Sequence, residues 1–123
     1  MNVTGMDHIV LTVADAERSL EFYVDRLGLA PERLEEWRAG AVPFVSVRVD
    51  ATTVIDLMEG ERTGVNADHF ALVVEGVDLA ELAASGEFEV VRGVGRLWGA
   101  QGVGLGMHVA DLDGNLVELR TYG

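Results

Sequence analysis

Apolar and polar positions along the chain follow two different periods. His8 to Val13 reads HIVLTV, a β-branched run expected to form a strand. Leu20, Phe22, Tyr23 and Leu27 then recur at helical spacing. They predict a helix from Ala16 to Arg26, with Asp15 as N-cap and Gly28 just past its end. Strands are expected near Arg33–Trp37, Phe44–Val49 and Thr53–Met58. A polar, Gly-containing segment from Glu59 to Ala67 reads as a linker. The order then repeats, with a strand at His69–Val74 and a short helix at Leu79–Ala84 that ends before Gly86. Further strands are expected near Glu87–Arg92, Leu105–Ala110 and Leu116–Tyr122. Gly93 to Gly106 holds six of the 15 glycines and is expected to be a loop.

The two halves resemble each other in detail. Asp7-His8-Ile9-Val10-Leu11-Thr12-Val13 matches Asp68-His69-Phe70-Ala71-Leu72-Val73-Val74 at an offset of 61, which also separates Trp37 from Trp98. Ile55-Asp56-Leu57 matches Val117-Glu118-Leu119 at 62. This predicts an α+β fold built from two tandem βαβββ modules, each too small to be stable alone. Module one spans about 5–58, the linker 59–67 and module two 68–123, together forming one domain.

A turn fixes the register of the last hairpin. Asp111-Leu112-Asp113-Gly114 suits a type I turn with Gly114 left-handed. That sets His108 opposite Glu118 and puts Glu118, Arg120 and Tyr122 on one face. The same alternation puts Ser46, Asp56 and Met58 on the equivalent face of module one.

Composition narrows the chemistry. A net charge of −12 over 123 residues argues against nucleic acid. No run reaches the roughly 18 apolar residues of a membrane span, and the start shows no secretory signal. Zero cysteines exclude thiolate sites and fit a cytoplasmic protein. Gly102-Val103-Gly104-Leu105-Gly106 lacks the following helix that would give it phosphate-binding meaning. His8, His69 and Glu118 stand out as metal ligands, with Asp56 a doubtful fourth. Imidazole nitrogen with carboxylate oxygen suits a divalent first-row metal, and two histidines with one carboxylate form a facial triad. Asp56 has other readings: a partner of an imidazole, an ion pair with Arg48, or a plain lining residue. His108 is the candidate acid or base, or else hydrogen-bonds a ligand. Arg120 would fix a substrate anion or form a rim salt bridge. Ser46 is a further candidate for substrate contact. Trp37 and Trp98 would wall a pocket or pack the core, and Phe22 and Tyr23 are assigned to packing.

The opening DHIVLTVADAERSLEFYVDRLGL, the second-half opening DHFALVV and the ending DLDGNLVELRTY resemble the vicinal oxygen chelate superfamily, the glyoxalase, bleomycin-resistance and extradiol-dioxygenase group. Leu112 replaces the proline usual in the ending of that family. The resemblance implies a cupped mixed sheet around a metal, with His8, His69 and Glu118 at the metal positions and Asp56 where some members carry a glutamate. It implies a small-molecule substrate bound through vicinal oxygens to Fe, Mn, Zn, Ni or Co, with lyase, isomerase or oxygenase chemistry, in a homodimer. A metal-free, drug-sequestering protein is the alternative within the same family, and the acidity of the chain would favour a cationic guest.

Overall fold

The computed structural model describes residues 1–110, 112 and 114–123. Eight strands form one mixed sheet. They are β1 (Asn2–Val13), β2 (Ala30–Glu32), β3 (Val45–Asp50), β4 (Thr53–Glu59), β5 (Ala67–Glu75), β6 (Glu89–Gly99), β7 (Gly102–Ala110) and β8 (Leu116–Thr121). Their order is β2-β3-β4-β1-β5-β8-β7-β6. The order is symmetric about the antiparallel β1–β5 pair: β1 lies parallel to β4, as β5 does to β8. First and last strands of both repeats therefore meet at the middle of the sheet, within one chain.

Strand alternation divides the residues between two faces. Ala16, Leu20, Val45, Val47 and Leu57 form one apolar cluster. Val74, Leu79, Leu82, Met107, Val109 and Leu119 form the other. The intervening positions Ser46, Asp56, His108, Glu118 and Arg120 are polar and buried. Asp15 and Asp78 cap helices α1 (Ala16–Leu20) and α3 (Leu79–Ala84) by accepting from backbone N–H groups. The His108–Glu118 register is as expected. Asp111 and Asp113 of the expected turn lie outside the described residues, and Gly114 is left-handed at φ +84°.

Three expectations are corrected. Helix α1 continues through Glu21–Arg26 as a π-helix, closed by Leu27 N–H to Phe22 C=O. The widened turn rotates the apolar stripe. Leu20 and Tyr23 reach the core, whereas Phe22 and Leu27 face solvent. The strand expected at Arg33–Trp37 instead begins at Ala30, and Leu34–Arg38 forms helix α2. The Trp37–Trp98 match is thus not a structural equivalence, since Trp98 lies on β6.

The third correction concerns the glycines from Gly93 to Gly106, which lie mostly in the β6–β7 hairpin rather than in a loop. Two of them are there for space. A Cβ on Gly99 would collide with the Arg120 guanidinium and the Tyr122 hydroxyl, and one on Gly104 with the Thr121 carbonyl oxygen. Gly104→Ala is expected to destabilise the fold by about 2–3 kcal/mol, because backbone must move. Gly93→Ala, which meets open space, should stay within about 1 kcal/mol of wild type. Urea unfolding of both variants checks the contrast.

Candidate metal centre

His8, His69 and Glu118 arrive from β1, β5 and β8. Their nearest ligand atoms are 3.2 Å apart for His8 Nε2 and His69 Nε2, 3.6 Å for His8 Nε2 and Glu118 Oε1, and 3.5 Å for His69 Nε2 and Glu118 Oε1. Ligand atoms about 2.0–2.2 Å from one cation sit about 3.0–3.5 Å from each other. The three atoms therefore fit around a single ion.

The protonation pattern supports this. His8 Nδ1–H donates to Asp7 Oδ2 at 2.7 Å, and His69 Nδ1–H donates to Asp68 Oδ2 at 2.7 Å. A carboxylate only accepts, so each neutral ring carries its proton at Nδ1 and presents a lone pair at Nε2. Two lone pairs and a carboxylate oxygen then face one point. Such a set calls for a cation, either a metal ion or a proton. The same arrangement favours the protonated form of His69. Burial alone would lower the His69 pKa, but its bonds to Glu118 and Asp68 raise it above the ordinary value.

The surroundings hold the anions in place. Glu118 is buried, which by itself would raise its pKa. Hydrogen bonds from His108 (Nε2 to Oε1, 3.1 Å) and His69, with His8 and Arg120 nearby, hold it far below the usual carboxylate range. Arg120 Nη1 donates to Glu118 Oε2 at 2.8 Å. Asp7 is likewise opposed by burial yet kept low by His8, by the Tyr122 hydroxyl (2.6 Å) and by Ala100 N–H (3.0 Å).

The sequence candidates fall in several places. Ser46 donates to Asp56, and the Asp56 carboxylate reaches 3.9 Å from His8 Nε2. Burial raises the Asp56 pKa despite His8 and Ser46. Arg48 pairs with Glu32 at 2.6 Å, not with Asp56. Arg120 is fully buried beside Glu118, with its Nη atoms also donating to the Leu97 and Trp98 carbonyls. It therefore lies behind the centre, neither at the rim nor free for substrate. Trp37 packs against the first apolar cluster. Trp98 walls a cavity of about 300 Å³ with His8, His69, His108, Glu118, Asp56 and Met58. Arg33, Phe44, Leu97 and Arg92 complete much of that wall.

Sequence reasoning missed the two aspartates. Simple alternation turns residue 7 away from residue 8. In the structure the β1–β5 register shifts between Met6 and His8, and again where Asp68 stands between Ala67 and His69. Each aspartate is the extra residue of a bulge, which re-aims its carboxylate towards the neighbouring ring. The repeated Asp-His dipeptide was the signal that could have revealed them.

A family model for the Glyoxalase/Bleomycin resistance protein/Dioxygenase superfamily matches residues 5–119, and the chain belongs to that superfamily. A glyoxalase domain-containing protein of Mycosarcoma maydis is 27% identical, over 99% of this chain and 70% of that one. The 2,3-dioxygenase LapB of Pseudomonas sp. KL28 shares the fold at TM-score 0.71 and 15% identity, over 98% of this chain and 43% of its own. The Mn(II)-bound glyoxalase of Novosphingobium aromaticivorans does so at TM-score 0.65 and 22% identity, over 97% of this chain and 39% of its own. At these identities the two structures speak for the fold alone.

If the aspartates orient the rings, Asp7→Asn should weaken binding of Mn(II) or Zn(II) by about 10- to 100-fold. Asp68→Asn should cost less, because Asp68 is half exposed and Asp7 fully buried. Metal affinity should also fall on acidification. A raised His69 pKa means that protons begin to compete at a higher pH than they would at an ordinary imidazole, and below that pKa the loss is roughly tenfold per pH unit for each proton displaced. Calorimetric titration with Mn(II) from pH 5.5 to 8 checks both effects.

Proposed function

We propose that the chain is a metal-dependent enzyme that binds a small substrate through adjacent oxygens at His8, His69 and Glu118. The observation that carries this is the convergence of two Nε2 lone pairs and Glu118 Oε1 within 3.6 Å, with both Nδ1 atoms tied to carboxylates. A sequestering protein has no need of such a set. Bound there, a divalent cation would supply Lewis acidity towards the substrate oxygens and leave coordination positions open on the cavity side.

The protein residues do the rest. His108 carries a proton between substrate and solvent at its imidazole, which lines the cavity and stacks near His69 with ring centroids 4.6 Å apart. Its Nε2–H bond to Glu118 keeps the ring against the centre when no substrate is present. Asp56, held by Ser46, stands beside His8 as an auxiliary carboxylate, too far from it to share a hydrogen bond. Val10, Met58, Leu97, Phe44 and Trp98 keep water away from the reacting atoms. Among the reactions of the superfamily, proton transfer next to a carbonyl fits these groups: a cation held by His8, His69 and Glu118 would polarise the substrate oxygens, and His108 would take the carbon-bound proton and return it.

Element analysis of protein purified without chelator is expected to give close to one Fe, Mn, Zn, Ni or Co per chain, lost in the His8→Ala/Glu118→Ala variant. His108→Gln should retain the metal and lose about 10²- to 10⁴-fold in turnover. A chelator-free preparation without bound metal, and with no affinity for any of these ions, refutes the reading.

A further inference from the structure

Arg33 has features that the metal centre does not account for. Among the described residues it is the one non-glycine with a left-handed backbone, at φ +60°. Side chains bearing a Cβ disfavour that conformation, and it tends to persist where function requires it. Arg33 also occupies the N-cap of α2, where Ser, Thr, Asp or Asn would bond a free N–H, and it makes no such bond. The helix cap is not served by an arginine side chain here.

The guanidinium lies 4.1 Å from the Trp98 ring centroid and 4.6 Å from that of Phe44. Its Nε and Nη2 are shielded from solvent and have no hydrogen-bond partner. Arg33 forms no ion pair among the described residues, and Asp56 and Glu36 act on its charge only from beyond ion-pair distance. The rings offset part of the cost of desolvating its charge but cannot accept its directed N–H bonds. All three side chains line the cavity that holds His8, His69 and Glu118. Whatever fills that space can accept from these N–H groups.

We propose that Arg33 anchors a carboxylate of the substrate, so that the metal-centre substrate is a small organic acid with a carboxylate beyond the oxygens offered to the metal. The proposal rests on the metal-dependent reading of the site. The planar guanidinium fork matches a carboxylate in two parallel bonds. Arg92, at the same cavity and without an ion pair among the described residues, adds positive charge. The volume of about 300 Å³ lies at the small end of ligand pockets. The aromatic clamp fixes the guanidinium before substrate arrives, which reduces the ordering that binding requires.

Two acids of similar length test this, 2-oxoglutarate and 2-oxopentanoate, which differ in the distal carboxylate. Each is titrated calorimetrically into Mn(II)-loaded and into chelator-treated protein. Wild type should bind 2-oxoglutarate at least tenfold more tightly than 2-oxopentanoate in both forms. Arg33→Met should abolish that preference and leave 2-oxopentanoate within about threefold of wild type. Arg33→Lys should keep part of it. Circular dichroism confirms that each variant is folded. In a Trp37→Phe background, Trp98 emission should respond to 2-oxoglutarate and cease to respond once Arg33 is replaced. Equal binding of the two acids by wild type, binding of neither, or a preference that survives Arg33→Met overturns the proposal. Loss of Mn(II) uptake with the preference intact removes the metal reading and leaves Arg33 in its role. Mn(II) uptake without the preference does the reverse.

Discussion

Two imidazole lone pairs and a carboxylate oxygen are held against one another inside an apolar sheet, and much of the molecule exists to hold them there. Left alone, such a cluster would relieve its repulsion by turning a ring or drawing in water. The first route is closed. Each ring is tethered at Nδ1, and Glu118 is held by Arg120 from behind and His108 from the side. Arg120 is in turn fixed by backbone carbonyls of β6, while Asp7 is fixed by Tyr122 and by the N–H of Ala100. The centre is thus preorganised by a buried network in which each anion meets donors from several strands.

That network explains features that look unrelated along the chain. Gly99 and Gly104 of the β6–β7 hairpin stand where a side chain would meet Arg120, Tyr122 and the backbone of Thr121. The bulges in the β1–β5 pair interrupt a central ladder, which costs hydrogen bonds, and in exchange they bring Asp7 and Asp68 onto their histidines. Duplication makes the arrangement economical. One dipeptide, bulged in the same way in each half, places two ligands and two orienting carboxylates around a pseudo-twofold axis. β4 and β8 bring Asp56 and Glu118 from matching sides, but only Glu118 comes within 3.6 Å of both rings. The shorter aspartate is bonded to Ser46 and stops 3.9 Å from the nearer imidazole nitrogen.

What the sequence disclosed follows from what repeats and alternates. The offset of 61 paired His8 with His69, and strand parity with the turn chemistry put His108 across from Glu118. Both signals are local or periodic. The failures share the opposite character. Alternation cannot foresee a bulge, so Asp7 and Asp68 escaped notice. Apolar spacing cannot distinguish an α-turn from a π-turn, so Leu27 was credited to the core. Glycine density reads as loop, whereas at Gly99 the reason for the glycine, a guanidinium from β8, lies about twenty residues away in sequence. Arg120 looked like a ligand-binding cation because its face was correctly identified, whereas its depth on that face depends on packing that no pattern encodes. Arg33 was hidden because the segment carrying it was expected to be a strand.

Net charge alone does not set the ligand, for a related reason. At −12 the molecule as a whole should attract cations, which would suit a sequestering protein with a basic guest. Charge far across the surface is screened within about 8–10 Å at ordinary salt, while a recessed cavity feels its own walls. Those walls carry Arg33 and Arg92, with Arg120 directly behind Glu118. Against them stand Glu118, already paired with Arg120, and Asp56, whose ionisation burial opposes. A divalent cation among His8, His69 and Glu118 would make the cavity more positive still. On the proposed reading, the carboxylate of the substrate would meet Arg33 and Arg92 at the wall of the cup, whatever the sign of the exterior. The acidic surface serves solubility, and in the proposed reading recognition falls to Arg33, held between Trp98 and Phe44 at the cavity wall.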